Sequence, residues 1–581
     1  MTDAEGQHWG RPAWGREPAA TALLAWLADP AAPRLCLVTG SAHSGKSGLL
    51  AWLAGHGMRP GTPAARRVHA TAPLRGAGVR GAVWELAGQL GLVARAPAEL
   101  VAALAADERA AVLVLADLDT STTPQELLEL VEALLPLAHV RLLVETTTGS
   151  PAHARLTAHA PAVMDLDDAR WTDPVRHEQW QAAAPAAPPA PAPRPAAELD
   201  PADPARVVAA DPLAVTTAYE TTDEDHGGLR RAWLRAGQAL TAEGDPAVRA
   251  LVLRAALGDG ADPRLAGELA ALAEGAPWRL VWSRVRDDLL PPWPGPVVAL
   301  AAGYGVLDGR LLTLDPLGAV RSLRTADATA LGRLPRAVPQ ATAVAALGDG
   351  TVLTLDRHGE LAHHRDLAVS KATGLAALVD DGSAALVERI DAIGRAFTRH
   401  GARTLAAANG LLAAGDAAGG VHASALSPGN GPGAGEHGAV LHEGPVTAVA
   451  VAELVGGADG GGTPMHLLYS GGADGRVRAW GPATDPMPAP VVERAGIPVV
   501  ALAAGLAAHG PWPALAVAWA DGLVEFHPPY ERGEGDGGGS GRAFFRPGPP
   551  VRALALTPGG QLVVGMDEMT VCLEPAAQRD G

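Results

Sequence analysis

Short apolar runs rich in Leu, Val and Ala alternate with longer amphipathic stretches from residue 14 to about residue 175, the pattern of a parallel sheet covered by helices. The runs predict strands at Arg34–Thr39, Arg67–Thr71, Ala111–Ala116, Val140–Glu145 and Ala162–Leu166. Helices are expected between them at Leu49–Ala54, Gly81–Leu90, Pro97–Ala106 and Pro124–Leu135. Between Gln181 and Pro204 repeated Pro removes backbone donors and favours extended chain, so this stretch reads as a linker. The period then becomes helical: Leu229, Trp233, Leu234, Ala236 and Leu240 share a stripe, and a second amphipathic run, Val248–Leu257, follows Asp245-Pro246.

From Pro296 onward the pattern changes again. Two to four alternating apolar residues, a small-residue strand, an Asp/Gly turn and another strand recur in units that begin near Val297, Thr342, Thr373, Thr404, Val446, Val499 and Val551. About seven such units predict a β-propeller, in which each blade buries its faces only against its neighbours. A propeller must close, and Trp278–Arg286 alternates suitably to pair with the blade containing Val551–Leu573. The Gly- and acid-rich stretch Glu531–Ser540 reads as an inter-blade loop.

At 581 residues the chain is too long for one core and must be modular. Its net charge of −17 argues against nucleic acid, because neutralising phosphates needs clustered Lys and Arg and no such block occurs. No uncharged stretch approaches the about 18 to 20 residues that span a bilayer, and the acidic start Met1-Thr2-Asp3-Ala4-Glu5 does not resemble a secretory signal. A cytoplasmic protein with no membrane partner is expected. Cys36 and Cys572 form neither a disulfide framework nor a metal cluster and read as small apolar residues. None of the 19 His shows metal-ligand spacing.

The strongest chemical signal is Gly40-Ser41-Ala42-His43-Ser44-Gly45-Lys46-Ser47, a G-x-x-x-x-G-K-S that follows one predicted strand and opens a helix. Gly40 and Gly45 let the backbone curl so that consecutive N–H groups face phosphates, Lys46 neutralises the β and γ oxygens, and Ser47 supplies a Mg²⁺ ligand. This spacing is that of a P-loop, and ATP with Mg²⁺ is the expected ligand. Such a site also needs an acid at the end of a second apolar strand. Val112-Leu113-Val114-Leu115-Ala116-Asp117-Leu118-Asp119 offers Asp117 as the metal-side acid and Asp119 as the second, both as candidate catalytic groups. Thr146 and Thr147, at the end of the next strand, are either γ-phosphate sensors or turn residues.

With these residues in hand, residues 14 to about 170 resemble the STAND class of signalling NTPases, relatives of the AAA+ proteins that include the NACHT and NB-ARC families. Trp14-Gly15-Arg16-Glu17 looks like the Gly-Arg-Glu element that in these families packs near the adenine, which brings Gly15 and Arg16 into the nucleotide-binding set. The sequence departs from the family at Ala116, where many members carry an acid, and the resemblance therefore implies slow hydrolysis or none. Arg141, Arg155 and Arg170 are arginine-finger candidates by proximity in sequence alone.

Farther on, Leu441–Val449 followed by Leu467–Trp480 looks like a WD40 blade. The resemblance implies a structural brace formed by His442, Asp474 and Trp480, and protein recognition by the propeller. The expected organisation is a multidomain chain with a P-loop NTPase domain over residues 1–175, a Pro/Ala-rich linker over 176–205, a small helical domain over 206–277 and a WD40-like propeller over 278–581. The expected function is a nucleotide-dependent regulatory switch, an ATPase that is at most weak, with protein partners on the propeller and nucleotide-dependent self-association. A constitutive scaffold on a vestigial P-loop is the alternative, and a metabolic kinase ranks last because no acceptor pocket can be read.

Overall fold

The computed structural model describes residues 10–183, 199–365, 367, 383–408, 410–426, 435–454, 465–482, 484–506, 513–529 and 541–576. The Pro-rich run past residue 183, the repeat unit near Thr373 and the loop Glu531–Ser540 lie outside the described residues. The chain divides into two compact units, Met1–His226 with Leu240–Gly244, and Gly227–Ala239 with Asp245–Gly581.

In the first unit five parallel strands, β1 (Leu35–Thr39), β2 (Ala70–Pro73), β3 (Ala111–Ala116), β4 (Val140–Glu145) and β5 (Ala162–Asp165), stand in the order β2-β3-β4-β1-β5. β1, β3 and β4 are buried along nearly their whole length, which is why they read as continuous apolar runs. The helices are α1 (Glu17–Ala28), α2 (Lys46–Gly57), α3 (Val79–Leu90), α4 (Pro97–Ala106), α5 (Pro124–Leu134), α6 (Pro151–Thr157), α7 (Pro174–Ala183), α8 (Pro204–Ala209) and α9 (Pro212–Glu220). Several open with Pro at the first helical position, where the missing N–H costs nothing. Leu23, Leu27, Leu49 and Leu53 of α1 and α2 pack on Val38, Val114 and Leu143 of the sheet.

α10 (Leu229–Ala242) buries Leu229, Trp233, Ala236 and Leu240 of the stripe its periodicity marks, while Leu234 is only half-buried. α11 (Pro246–Ala256) and α12 (Pro263–Leu272) pack on each other, and α11 packs on β6 (Trp278–Val285).

Among the described residues the propeller has six blades, not the seven or so that the repeats predict. Blade one is β7 to β10 (Ala299–Ala302, Arg310–Leu314, Val320–Arg324, Ala330–Arg333), and blade two is β11 to β13 (Ala341–Ala346, Val352–Asp356, Leu361–His364). Blade three is β14 to β17 (Ala402–Ala408, Leu411–Asp416, Gly420–Ala425, Glu436–Val440), and blade four is β18 to β21 (Val446–Leu454, Met465–Gly472, Arg476–Trp480, Val492–Glu493). Blade five is β22 to β25 (Val499–Leu506, Pro513–Trp519, Val524–His527, Ala543–Phe545). Blade six is β26 to β28 (Val551–Leu556, Leu562–Met566, Met569–Pro575) with β6 as its outermost strand. β6 pairs antiparallel with β28, Trp282 opposite Cys572, so the strand predicted to close the ring does so. The first strands of the blades pack on their neighbours all the way round, β7 touching both β26 and β11. Their Ala-rich sequences follow from that convergence, since six strands around one axis leave little room for side chains.

Where the repeats predict a further blade, the described chain forms a helix, α13 (Ser383–His400), ahead of blade three. Ile390, Ile393 and Phe397 of α13 bury against Leu353 and Leu355 of blade two and Leu405 and Leu412 of blade three. α13 packs beside β13, on the blade that has three strands among the described residues.

Candidate functional site

The polar residues of the first unit collect where β1, β3 and β4 end. Beyond Thr39 the chain turns through Gly40 (φ 145°) and Gly45 (φ 85°), conformations that side chains with a Cβ rarely adopt. A Cβ on Gly40 would also lie 2.6 Å from the Ser44 hydroxyl. α2 begins at Lys46 with no side-chain cap, so no capping side chain takes up its first amides, an arrangement suited to an anion. The Lys46 ammonium donates to the carbonyls of Gly40 (3.0 Å) and Ser41 (2.7 Å). The Ser41 N–H and hydroxyl donate to Asp167 (2.7 and 2.9 Å), which fastens the start of the loop to the chain beyond β5.

A cleft of about 330 Å³ opens over this loop; Ala42 to Ser47, Asp117 and Asp119 all line it, while Gly40, Ser41, Gly15 and Arg16 do not. Gly15 (φ 66°) sits where a Cβ would lie 2.6 Å from the Asp173 carbonyl. The buried Arg16 guanidinium donates to the carbonyls of Leu166 and Ser44 and to the Thr172 hydroxyl, so it fastens the loop from outside the cleft. From the same element it is Trp14 that reaches the cleft wall, its ring stacked on Trp180 at 4.4 Å. Trp14 (φ 65°), His43 (φ 66°) and Asp117 (φ 60°) line the cleft in a left-handed conformation that costs energy outside Gly.

Two carboxylates face the Ser47 hydroxyl: Glu145 accepts its hydrogen bond at 2.9 Å, and an Asp117 oxygen lies 3.4 Å away. The other Glu145 oxygen accepts the Asp117 N–H at 3.2 Å. Glu145 is 2% exposed, and its burial, reinforced by the neighbouring Asp117 charge, holds its pKa above the ordinary carboxyl value. Asp119 accepts the Thr147 N–H at 2.6 Å. Among the described residues the Thr146 hydroxyl, buried in the cleft wall, finds no hydrogen-bond partner, and neither does that of Thr39 at the end of β1. An uncapped helix start, an orphaned hydroxyl, a Lys ammonium and a hydroxyl between two carboxylates form a donor set that fits a polyphosphate with a hard divalent cation.

Sequence reasoning overlooked Glu145 and Arg75. β4 lies between β1 and β3, so its last residue stands nearer the loop than any residue of β3, with Glu145 opposite Val38. The available signal was a carboxylate closing the strand Val140–Glu145 right after the apolar run Leu142–Val144, where burial makes a charge costly. Arg75 lines the cleft and pairs with Asp117 at 3.1 Å. The arginines nominated by sequence are bound elsewhere: Arg141 to the carbonyls of Trp26 and Leu27, Arg155 to Glu132, and Arg170 to Asp168.

In blade four, His442 lies 3.1 Å from Asp474 through Nδ1 and 2.8 Å from the Ser470 hydroxyl through Nε2. Trp480 is not part of this brace, because its indole N–H donates to the Thr484 carbonyl at 2.9 Å; Ser470 is the member that the sequence reading lacked. Burial pushes both cysteine thiols up to about 12. Among the described residues no group of three or more His, Cys, Asp or Glu is placed to hold a metal ion, and no helix is long and apolar enough to cross a membrane.

No protein-family model matches this chain, and no curated protein sequence matches it significantly. Solved structures do overlap it in part. U3-55K is 14% identical, with 52% of this chain and 99% of that chain covered at a TM-score of 0.31. The RRP9 WD40 repeats are 12% identical over 51% of this chain and 100% of that chain, and the WD40 β-propeller domain of Doa1 is 12% identical over 52% and 97%, both also at 0.31. The propeller assignment itself rests on the closed ring of six sheets.

Proposed function

We propose that this chain is an ATP-binding regulatory protein in which nucleotide occupancy of the cleft sets a conformational state and the propeller engages a protein partner. The observation that carries the reading is the convergence of Lys46, Ser47, Glu145 and Asp117 on an uncapped helix start beside the orphaned Thr146 hydroxyl. In this reading the amides of residues 42–47 and Lys46 hold the phosphates, and Ser47 with Glu145 and Asp117 holds Mg²⁺, whose chemistry is to neutralise phosphate charge. Trp14 supplies an aromatic wall for the base. Hydrolysis is slow, because Asp117 is taken up on the cation side beside Ser47 and Asp119 by the Thr147 amide, which leaves neither aimed at a water. A change of state requires that nucleotide bind the two states unequally. Self-association in the nucleotide-bound state follows as part of the same proposal.

One observation favours the rival reading of a constitutive scaffold: Lys46 already satisfies loop carbonyls and could serve the fold alone. Light scattering and limited proteolysis with and without Mg-ATP separate the two. A switch changes its size or cleavage pattern, whereas an unchanged profile at saturating nucleotide leaves the scaffold.

A further inference from the structure

We propose that Arg75 reads the terminal phosphate, distinguishing a nucleoside triphosphate from a diphosphate in this cleft; the inference rests on the nucleotide-binding reading above. Lys46 and Arg75 are the permanent cations among the cleft-lining residues. Lys46 faces the loop carbonyls, whereas the Arg75 side chain is 73% exposed and holds Asp117 by two N–H groups reaching one oxygen, at 3.1 and 3.3 Å. That oxygen is the one turned away from Ser47; its twin lies 3.4 Å from the Ser47 hydroxyl. Asp117 therefore spans the two groups, and any anion that attracts Arg75 frees Asp117 for the cation side of the site.

Arg75 lines the cleft through its pair with Asp117, and backbone bonds on both sides of it hold its position in the chain. On one side of it Leu74 is fully buried and its N–H donates to the Ala116 carbonyl at 2.9 Å, extending the β2–β3 pairing. On the other side Gly76 (φ 68°) donates to the Thr120 carbonyl at 3.0 Å. The same turn meets α9, where the Thr217 hydroxyl lies 3.4 Å from the Gly76 carbonyl and Glu220 accepts the Arg80 N–H at 3.0 Å at the start of α3. A surface arginine needs no such pinning. A planar guanidinium held at the edge of a polyphosphate cradle is suited to a bidentate grip on a phosphoryl group, which Lys cannot reproduce.

The test is equilibrium titration of the full-length protein with ADP and with a non-hydrolysable ATP analogue, both with Mg²⁺, for wild type, Arg75→Ala and Arg75→Lys. The expected result is a loss of about 10- to 100-fold in affinity for the triphosphate analogue in Arg75→Ala, with ADP affinity kept within about 2-fold and partial recovery in Arg75→Lys. If Arg75 merely shaped the loop, both nucleotides would weaken together, and that result, or no change in either, overturns the inference while leaving nucleotide binding intact. A wild-type protein that binds neither nucleotide overturns the binding reading and this inference with it.

Discussion

The cleft and the propeller place acidic side chains at the ends of strands in the same way and then treat them oppositely. In the propeller three turn carboxylates are closed by donors: Asp416 by the N–H groups of Ala418 and Gly420 and by His422, Asp474 by the Arg476 N–H and His442, Asp521 by Arg494, Arg546 and the Leu523 N–H. Burial pushes the pKa of all three upward, but their partners together outweigh it and hold each below the ordinary value of 3.8. In the cleft, Glu145 faces a second carboxylate across one hydroxyl, and burial with that neighbouring charge leaves its pKa above the ordinary 4.5. An acid whose donors are complete is part of the scaffold. An acid kept buried against its own kind is, in the proposed reading, a place for a cation.

Substitutions that remove the charge should therefore act in opposite directions. Asp521→Asn leaves Arg494 and Arg546 facing a neutral group and is expected to cost about 3 kcal/mol of propeller stability, read by urea unfolding. A loss below about 0.5 kcal/mol would mean that the cluster is ornamental. His442→Ala should cost about 2 kcal/mol by stripping Asp474 and Ser470 of their shared partner, and Trp480→Phe, outside the brace, should cost less than half as much. Equal costs would restore Trp480 to the brace. Glu145→Gln should leave the first unit as stable as wild type or up to about 1 kcal/mol more so, yet weaken Mg²⁺-dependent nucleotide binding at least about 10-fold. If it unfolds the protein instead, Glu145 belongs with the propeller acids and the comparison fails.

The smallest effect is a difference in pH response. Glu145 has a raised folded pKa, so its contribution to stability is full below 4.5 and is lost as pH rises through the folded value. Burial, opposed by Asp474, lowers the pKa of His442 from 6.5, so its contribution is present above 6.5 and is lost as pH falls through the lower folded value. Between pH 6.5 and 4.5, without ligand, the protection free energy read from hydrogen exchange should rise at β4 and fall in blade four. Parallel drift in both regions would show that Glu145 and His442 are not shifted in opposite senses.

Much of this architecture was legible because local signals agreed with the fold. α4 was read to the residue, since Pro97 marks a first turn and Leu100 and Leu104 repeat at helical spacing on the buried side. β2 begins three residues later than expected and includes Pro73, tolerated because β2 is an edge strand of the sheet. α13 was hidden inside a repeat region, although Leu386, Ile390, Ile393 and Phe397 keep helical spacing; the expectation of another blade overrode the period. In the site, the loop and the two aspartates were visible as a motif. Glu145 and Arg75 were not, because they reach Ser47 and Asp117 only through a strand order that no local pattern encodes.

The central claim is that the cleft binds a nucleoside triphosphate with Mg²⁺, and isothermal titration of Mg-ATP into wild type and Lys46→Ala tests it most directly. The account predicts saturable, Mg²⁺-dependent binding by wild type and a loss of at least about 100-fold, ~2.7 kcal/mol, in the variant. Equal affinity in both proteins, or no heat in wild type at millimolar nucleotide, would contradict it and leave a propeller scaffold carried beside an inert α/β sheet.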